Sequence, residues 1–442
     1  MKVAFHTLGC KVNQYETEAM KENFRDRGYF VVDENDFADV YVINTCTVTN
    51  LADRKSRQFI RRAKKVNPDG LVAVTGCYAQ MKPDEVSSIE GVDIVVGTNK
   101  KHELIDYVEN FANGKSNCHV LDYDKLRVYQ SDGIVTSMDS RTRAYIKIQE
   151  GCNRFCSYCI IPYARGPVRS RPLEEIVEEA RLLIERGFRE IVLTGINTAL
   201  YGDDLGYVGY DGIAPLIERL DEIPGDFRIR LSSLEPTVID TNYVKKLFEY
   251  PKLCHHLHLS IQSGSNKILK SMNRRYDRDE YLAIVDTLRA FDPLYGISTD
   301  IICGFPGETD EDFRDSVDIV ERVNFCKVHA FRYSQRTGTK AAEMSSQVDG
   351  KTSAQRADAI AKIAAEAEKK FFEKNIGTVA KVLLEEADGK DIRGYSDNYI
   401  RVYINSKDSG IMDSLHSEKA FGEFVNVKLT EIYKDGMKGE LA

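Results

Sequence analysis

Residues Ala144 to Cys159 read AYIKIQEGCNRFCSYC. The run AYIKIQ predicts a strand. Directly behind it, Cys152, Cys156 and Cys159 fall in the spacing C-x3-C-x2-C, with no fourth cysteine or histidine close by. In α/β chains, functional groups gather at the carboxyl ends of parallel strands, so this loop stands where a site is expected. A closed tetrahedral metal site wants four protein ligands. Three thiolates on one loop instead suit three corners of an iron–sulfur cube, with one iron left open to a reacting ligand. The competing reading is a zinc knuckle completed by a distant residue, although the spacing lacks the usual paired partner.

From Ala144 on, the strand-then-helix rhythm occurs six times. The strands are AYIKIQ from Ala144, EIVLTG from Glu190, RIRLSS from Arg228, HLHLSIQ from His256, STDIICG from Ser298 and KVHAFRY from Lys327. A complete βα barrel needs eight units. Six predict an open, partial barrel over residues 139–370. Before it, the apolar runs KVAFHTLG, DVYVINT, LVAVTG and DIVVGT alternate with helix-length polar segments, which predicts a parallel-sheet α/β domain over residues 1–115. Residues 116–138 read as a linker with some strand character. After a long Ala/Lys/Glu-rich helix, short runs with Asp/Gly-rich turns predict a small all-β barrel over residues 371–440, a shape common among nucleic-acid-binding modules. The fold class is therefore α/β, followed by a small β-barrel.

The amino-terminal domain carries a second triplet. Cys10 ends AFHTLGC, Cys46 ends YVINTC and Cys77 ends VAVTGC. Each follows a predicted strand, so the three should converge on one sheet edge, again one ligand short of a closed site. The alternative is three unrelated buried cysteines, since a free cysteine is often simply buried.

Composition bounds the partners. The formal charge is −8 and 29% of residues are charged, which excludes a wholesale basic coat but not a local patch. The amino terminus reads as a strand rather than a secretory signal. No apolar run approaches about 18 residues, so no membrane span is expected. Ten cysteines without an export signal should be thiols, ligands or catalytic groups, which points to the cytoplasm. Locally, RKSRQFIRRAKK places seven cations between Arg54 and Lys65 with no acid. As a helix it would show Arg54, Lys55, Arg57, Arg61 and Arg62 as a basic face suited to phosphates, or simply a solvated face. Arg165, Arg169 and Arg171 are candidates for the same contact. In CHHLHL, alternation puts His256 and His258 on one face and His255 on the other, which reads as barrel packing.

C-x3-C-x2-C opening a partial βα barrel resembles the radical S-adenosylmethionine enzymes. With TLGCKVNQYE, INTCTVT and GCYAQ, the whole chain resembles their methylthiotransferase family, with a carboxy-terminal TRAM domain. GCKVN and NTCTVT resemble the bacterial branch acting on tRNA threonylcarbamoyladenosine. Other branches act on isopentenyladenosine tRNA or on a ribosomal protein. A non-catalytic, metal-stabilised RNA-binding protein is the rival from another class.

The resemblance implies two 4Fe-4S clusters, one on Cys152, Cys156 and Cys159 and one on Cys10, Cys46 and Cys77. S-adenosylmethionine would bind the open iron of the first, and its reductive cleavage would give a 5′-deoxyadenosyl radical. That radical takes hydrogen from carbon 2 of the modified adenine, and the second cluster delivers methylated sulfur. No catalytic residue beyond the cluster ligands is implied. By place in the family pattern, Tyr158, Thr194, Gly195, Asn197, Ser232, Glu235, Gln262 and Gly304 would line the S-adenosylmethionine pocket, although Asn197 stands where the family pattern carries an acidic residue. Partners implied are the tRNA anticodon stem-loop, whose exposed bases matter more than duplex reading, and an electron donor such as flavodoxin or ferredoxin. Cys118, Cys254, Cys303 and Cys326 are left as non-ligands.

Overall fold

The computed structural model describes residues 1–111, 117–138, 142–388, 391–405 and 421–442. Its amino-terminal sheet comprises β1 (Lys2–Thr7), β2 (Phe30–Val32), β3 (Val40–Thr45), β4 (Leu71–Gly76), β5 (Ile94–Val96) and β6 (Cys118–His119). They are ordered β2-β1-β3-β4-β5-β6 and all pairs are parallel. The four long apolar runs form the four inner strands. β2 and β6 are short edge strands that the apolar pattern misses, and β6 comes from the stretch read as a linker.

β3 is buried along its whole length because helices cover both faces. On one face α1 (Lys11–Asp26) packs Met20 and Phe24 against Val3, Val40 and Val42. On the other, α2 (Asn50–Val66) packs Ile60 and Ala63 against Tyr41, Ile43, Val72 and Val74. The chain leaves β1 first for β2 and then for β3 on its opposite side. The topological switch point therefore lies between β1 and β3, where α/β sheets place their sites.

The central domain contains β7 (Arg143–Glu150), β8 (Arg169–Ser170), β9 (Glu190–Gly195), β10 (Arg228–Leu231), β11 (Ser233–Leu234), β12 (His256–Leu259), β13 (Gly296–Cys303) and β14 (Lys327–Arg332). They form two sheets, β8-β7-β9-β10 and β11-β12-β13-β14. The chain passes from one to the other through Ser232, so the two sheets follow one another as a partial barrel. All six expected strands are present and parallel; β8 adds an antiparallel edge. One continuous apolar cluster fills the domain, from Ile146 and Leu193 to Ile301 and Phe325.

A helix over Gly350–Asn375, capped by Asp349, runs past the expected boundary at 370. It leads into β15 (Val379–Asp388), β16 (Asp391–Ser396), β17 (Arg401–Asn405), β18 (Phe424–Tyr433) and β19 (Gly436–Leu441), which close as β15-β16-β17-β19-β18. This small barrel plugs the end at which the central strands begin. Arg228 donates to the Tyr395 carbonyl (3.0 Å) and Arg230 to the Asp397 carbonyl (3.0 Å). Buried Glu190 accepts from both arginines (2.5 and 2.9 Å). The cysteine loop lies at the other end of these strands, roughly 26 Å away along a strand of β13's length. Among the described residues, no helix is long and apolar enough to cross a membrane.

Candidate active site

The first triplet is set by backbone geometry. Gly151, at φ +74°, turns the chain off β7, and a Cβ there would meet the Pro167 carbonyl oxygen at 1.8 Å. Only glycine fits, so Cys152 starts from a fixed position. The Cys152 N–H then donates to the Gly166 carbonyl (3.0 Å), Ser157 N–H to the Met272 carbonyl (3.0 Å) and Cys159 N–H to the Cys156 carbonyl (2.9 Å). Asn273 braces the outer turn by donating to the Arg154 and Phe155 carbonyls (3.2 and 3.1 Å). All three cysteines face a cavity of about 390 Å³ at the carboxyl ends of the central strands.

Glu235 is the hub of that cavity's polar wall. It accepts from Arg154 Nε (3.0 Å), Arg274 Nη1 (2.9 Å), Asn197 Nδ2 (2.8 Å) and Thr237 Oγ1 (3.2 Å). Arg274 also donates to the Tyr158 hydroxyl (2.6 Å). Asn197 Oδ1 is buried with no partner, an acceptor left free beside the thiols. It suits the ammonium of an amino-acid ligand, because a buried acceptor without a partner is costly. Gln262 sits at φ +69°, in left-handed backbone rare for glutamine, three residues beyond β12.

Of the eight expected pocket residues, Tyr158, Asn197, Glu235 and Gln262 line the cavity. Thr194, Gly195, Ser232 and Gly304 do not. Thr194 and Ser232 are buried in the sheet ends, and Gly195 lies against Gln149. Gly304 is packed against Ser353 and donates its N–H to Glu308 (3.0 Å). Sequence reading missed Arg154 and Arg274. Arg154 sits inside the cysteine loop itself, and its spacing was a usable signal; Arg274 reaches the site from a distant turn.

The second triplet is assembled by register. Thr45 pairs with Gly76 across β3 and β4, so Cys46 and Cys77 follow side by side, and Thr7 pairs with Asn44, bringing Cys10 to the same edge. Gly76, at φ +98°, would place a Cβ 2.3 Å from the Thr45 carbonyl oxygen. Glycine is again required, and α3 (Cys77–Met81) starts directly after it. Cys10 occupies the N-cap position of α1 without a side-chain bond to the helix. Cys46 and Cys77 are buried and Cys10 is exposed. Burial pushes the Cys152 and Cys46 thiols up to about 12, with the nearness of Cys77 adding to the shift at Cys46. Free in the protein, they stay protonated at neutral pH; iron must displace those protons to bind.

The cavity of the first triplet is walled in part by the loop that follows Cys46. Val48 and Thr49, just after Cys46, line the same walls as Cys152, Cys156 and Cys159. Arg336 of the central domain fixes that loop, donating to Thr47 Oγ1, to Asn50 Oδ1 (2.6 Å) and to Asp53 Oδ2 (2.7 Å). Each triplet offers three free thiols, a donor set of the kind that iron–sulfur clusters take. Among the described residues, no three Cys, His, Asp or Glu side chains are set for one metal ion.

The basic stretch forms α2 as expected. Arg54, Lys55, Arg61 and Arg62 are exposed; Arg57 is half-buried and donates to the Tyr78 hydroxyl (2.9 Å). Arg165, Arg169 and Arg171 overturn their expectation as RNA contacts, since all three are fully buried. Arg165 pairs with Glu16 and Glu150, and Arg171 with Glu179 (2.7 Å), because these carboxylates lie in the interface between the two domains. The histidines pack as read: His256 and His258 share Ser298 Oγ, and His255 pairs with Asp292.

Two family models match the chain, the Radical SAM superfamily over residues 146–320 and the uncharacterized protein family UPF0004 over residues 2–97. The threonylcarbamoyladenosine tRNA methylthiotransferase of Bacillus subtilis is 42% identical, over 97% of this chain and 93% of its own. That of Aquifex aeolicus is 40% identical, over 91% and 96%. The tRNA-2-methylthio-N(6)-dimethylallyladenosine synthase of Thermodesulfovibrio yellowstonii is 31% identical, over 99% and 98%. Among solved structures, the radical S-adenosylmethionine methyltransferase TsrM of Kitasatospora setae, with cobalamin and a 4Fe-4S cluster bound, shares the fold. Its TM-score is 0.58 at 14% identity, over 77% of this chain and 74% of that one.

Proposed function

The chain belongs to the tRNA methylthiotransferases of the radical S-adenosylmethionine superfamily, and from that premise we propose that it adds a methylthio group to carbon 2 of N6-threonylcarbamoyladenosine beside the anticodon. The observation that carries this reading is the shared cavity: the loop after Cys46 and the loop of Cys152, Cys156 and Cys159 face one space. A transfer needs its hydrogen-removing centre and its sulfur donor on one target carbon.

Cys152, Cys156 and Cys159 would hold one 4Fe-4S cluster and Cys10, Cys46 and Cys77 the other. When bound, the first supplies the electron that cleaves S-adenosylmethionine and the second the sulfur to be transferred. Asn197 Oδ1 accepts from the amino group of S-adenosylmethionine, oriented by the Asn197–Glu235 bond. Arg154 and Arg274 hold Glu235 in place, and Arg274 also fixes Tyr158 at the cavity wall. Arg336 keeps the sulfur-side loop over the cavity.

Arg54, Lys55, Arg61 and Arg62 offer phosphate contacts to the anticodon stem-loop, with Arg57 holding α2 against Tyr78. The electron donor is of the flavodoxin or ferredoxin class, and the compartment is the cytoplasm, consistent with ten free thiols. Mass spectrometry of tRNA nucleosides from cells lacking the gene tests the reading. The expected result is loss of the methylthio form of threonylcarbamoyladenosine alone; retention of that nucleoside rejects the assignment.

A further inference from the structure

A buried charge network joins the two cysteine domains. Lys101, Lys147, Arg165 and Arg169 meet Glu16, Asp132 and Glu150, all of them buried. Lys101 and Arg165 pair with Glu16, Lys147 pairs with Asp132, and Arg165 Nη1 reaches Glu150 Oε1 at 2.6 Å. Arg169 lies 3.4 Å from Glu150. Among the described residues, this sets four cations against three carboxylates. An uncompensated charge in such surroundings is expensive, and one neighbour can balance it. Arg165 Nε donates to Cys77 Sγ at 3.3 Å, while its Nη2 is fixed on Asn13 Oδ1 (2.5 Å). Asn13 in turn donates to the Leu8 and Thr45 carbonyls, on the segments that carry Cys10 and Cys46.

We propose that Arg165 is a positioning residue for the second cluster, its N–H and unbalanced charge directed at the Cys77 sulfur so that the site holds an anionic iron–sulfur cluster and raises its reduction potential. Donors and positive charge near a cluster sulfur favour the reduced, more negative form. The residue comes from the short helix that follows Cys159, so one guanidinium touches a ligand of the second site, and through Glu150 the strand end that carries the first. This inference rests on the proposed second cluster.

The test uses the full chain with Cys152, Cys156 and Cys159 all changed to alanine, reconstituted anaerobically, so that only the second site can fill. Iron content and an EPR-monitored redox titration are read. This background should hold about four irons per chain. If it holds none, the two-cluster reading itself fails, whatever Arg165 does. Added Arg165→Gln should lose the iron, or lower the midpoint potential by about 59 mV or more, the one-electron equivalent of a tenfold change. Arg165→Lys should keep the iron with a smaller shift in the same direction. Arg169→Gln, which removes an equally buried cation but leaves the Arg165 donor on the sulfur, should shift the potential less than Arg165→Gln does. An unshifted, fully loaded Arg165→Gln protein overturns the proposal, and so does an equal shift in Arg169→Gln.

Discussion

Cys152, Cys156 and Cys159 come from one short loop braced by its own domain, whereas Cys10, Cys46 and Cys77 come from three strand ends held in place partly by another domain. The loop is closed by bonds to Gly166, Met272 and Asn273, all central-domain residues. The convergent triplet is aligned by the register of β1, β3 and β4, then gripped from the central domain by Arg165 at Cys77 and by Arg336 behind Cys46. The local site can form wherever its domain folds. The convergent site also needs the two domains docked, so the two should fail in different ways.

The sharpest contrast is between single ligands. Cys152→Ala should abolish 5′-deoxyadenosine formation and with it all methylthiolation, because three protein ligands already leave no spare. Cys46→Ala should leave 5′-deoxyadenosine formation largely intact while abolishing methylthio product. Iron should fall from about eight to about four per chain in each variant. Normal methylthiolation by the Cys46 variant would show that the second triplet is not the sulfur site.

How each site could be read from the sequence follows the same divide. A local triplet is visible as spacing alone. The convergent triplet was legible only because each cysteine directly follows an apolar run, so that strand prediction supplied the third dimension. The expectation for Arg165, Arg169 and Arg171 fails because a cation in a polar stretch is normally solvated. Their burial depends on Glu16 and Glu179, which no local pattern connects to them. The inner strands and the closing β-barrel were legible from apolar runs, whereas β6, β8 and β11 have two residues each, too few to show a period. At the pocket, Asn197, Glu235 and Gln262, named by their place in the family pattern, line the cavity. Thr194 and Gly304, named in the same way, are received by neighbouring strands and helices and not by the cavity.

A change in the cavity wall should weaken the first site without emptying it. Glu235→Gln leaves Arg154 and Arg274 without their shared carboxylate and loosens Asn197. Hydrogen bonds to a charged group contribute about 1.5–3 kcal/mol, so KM for S-adenosylmethionine should rise roughly tenfold or more. Both products should fall together at low S-adenosylmethionine and recover in parallel at saturation. A change in the ratio of methylthio product to 5′-deoxyadenosine would place Glu235 on the sulfur side instead.

The smallest effect is expected at the interdomain grip. Arg336 is 5% exposed, and its guanidinium ties Thr47, in the loop that follows Cys46, to Asn50 and Asp53 in the first turn of α2. Arg336→Ala removes no thiol and leaves the first loop's own bonds untouched. Iron content and 5′-deoxyadenosine formation should therefore stay at the unaltered level. The loop that carries the sulfur side would no longer be held over the cavity, and methylthio product per 5′-deoxyadenosine should drop roughly fivefold, the equivalent of about 1 kcal/mol of lost positioning. Equal losses of both products would mean that the grip stabilises the whole central domain, and the distinction between a self-contained and a borrowed site would then collapse at this residue.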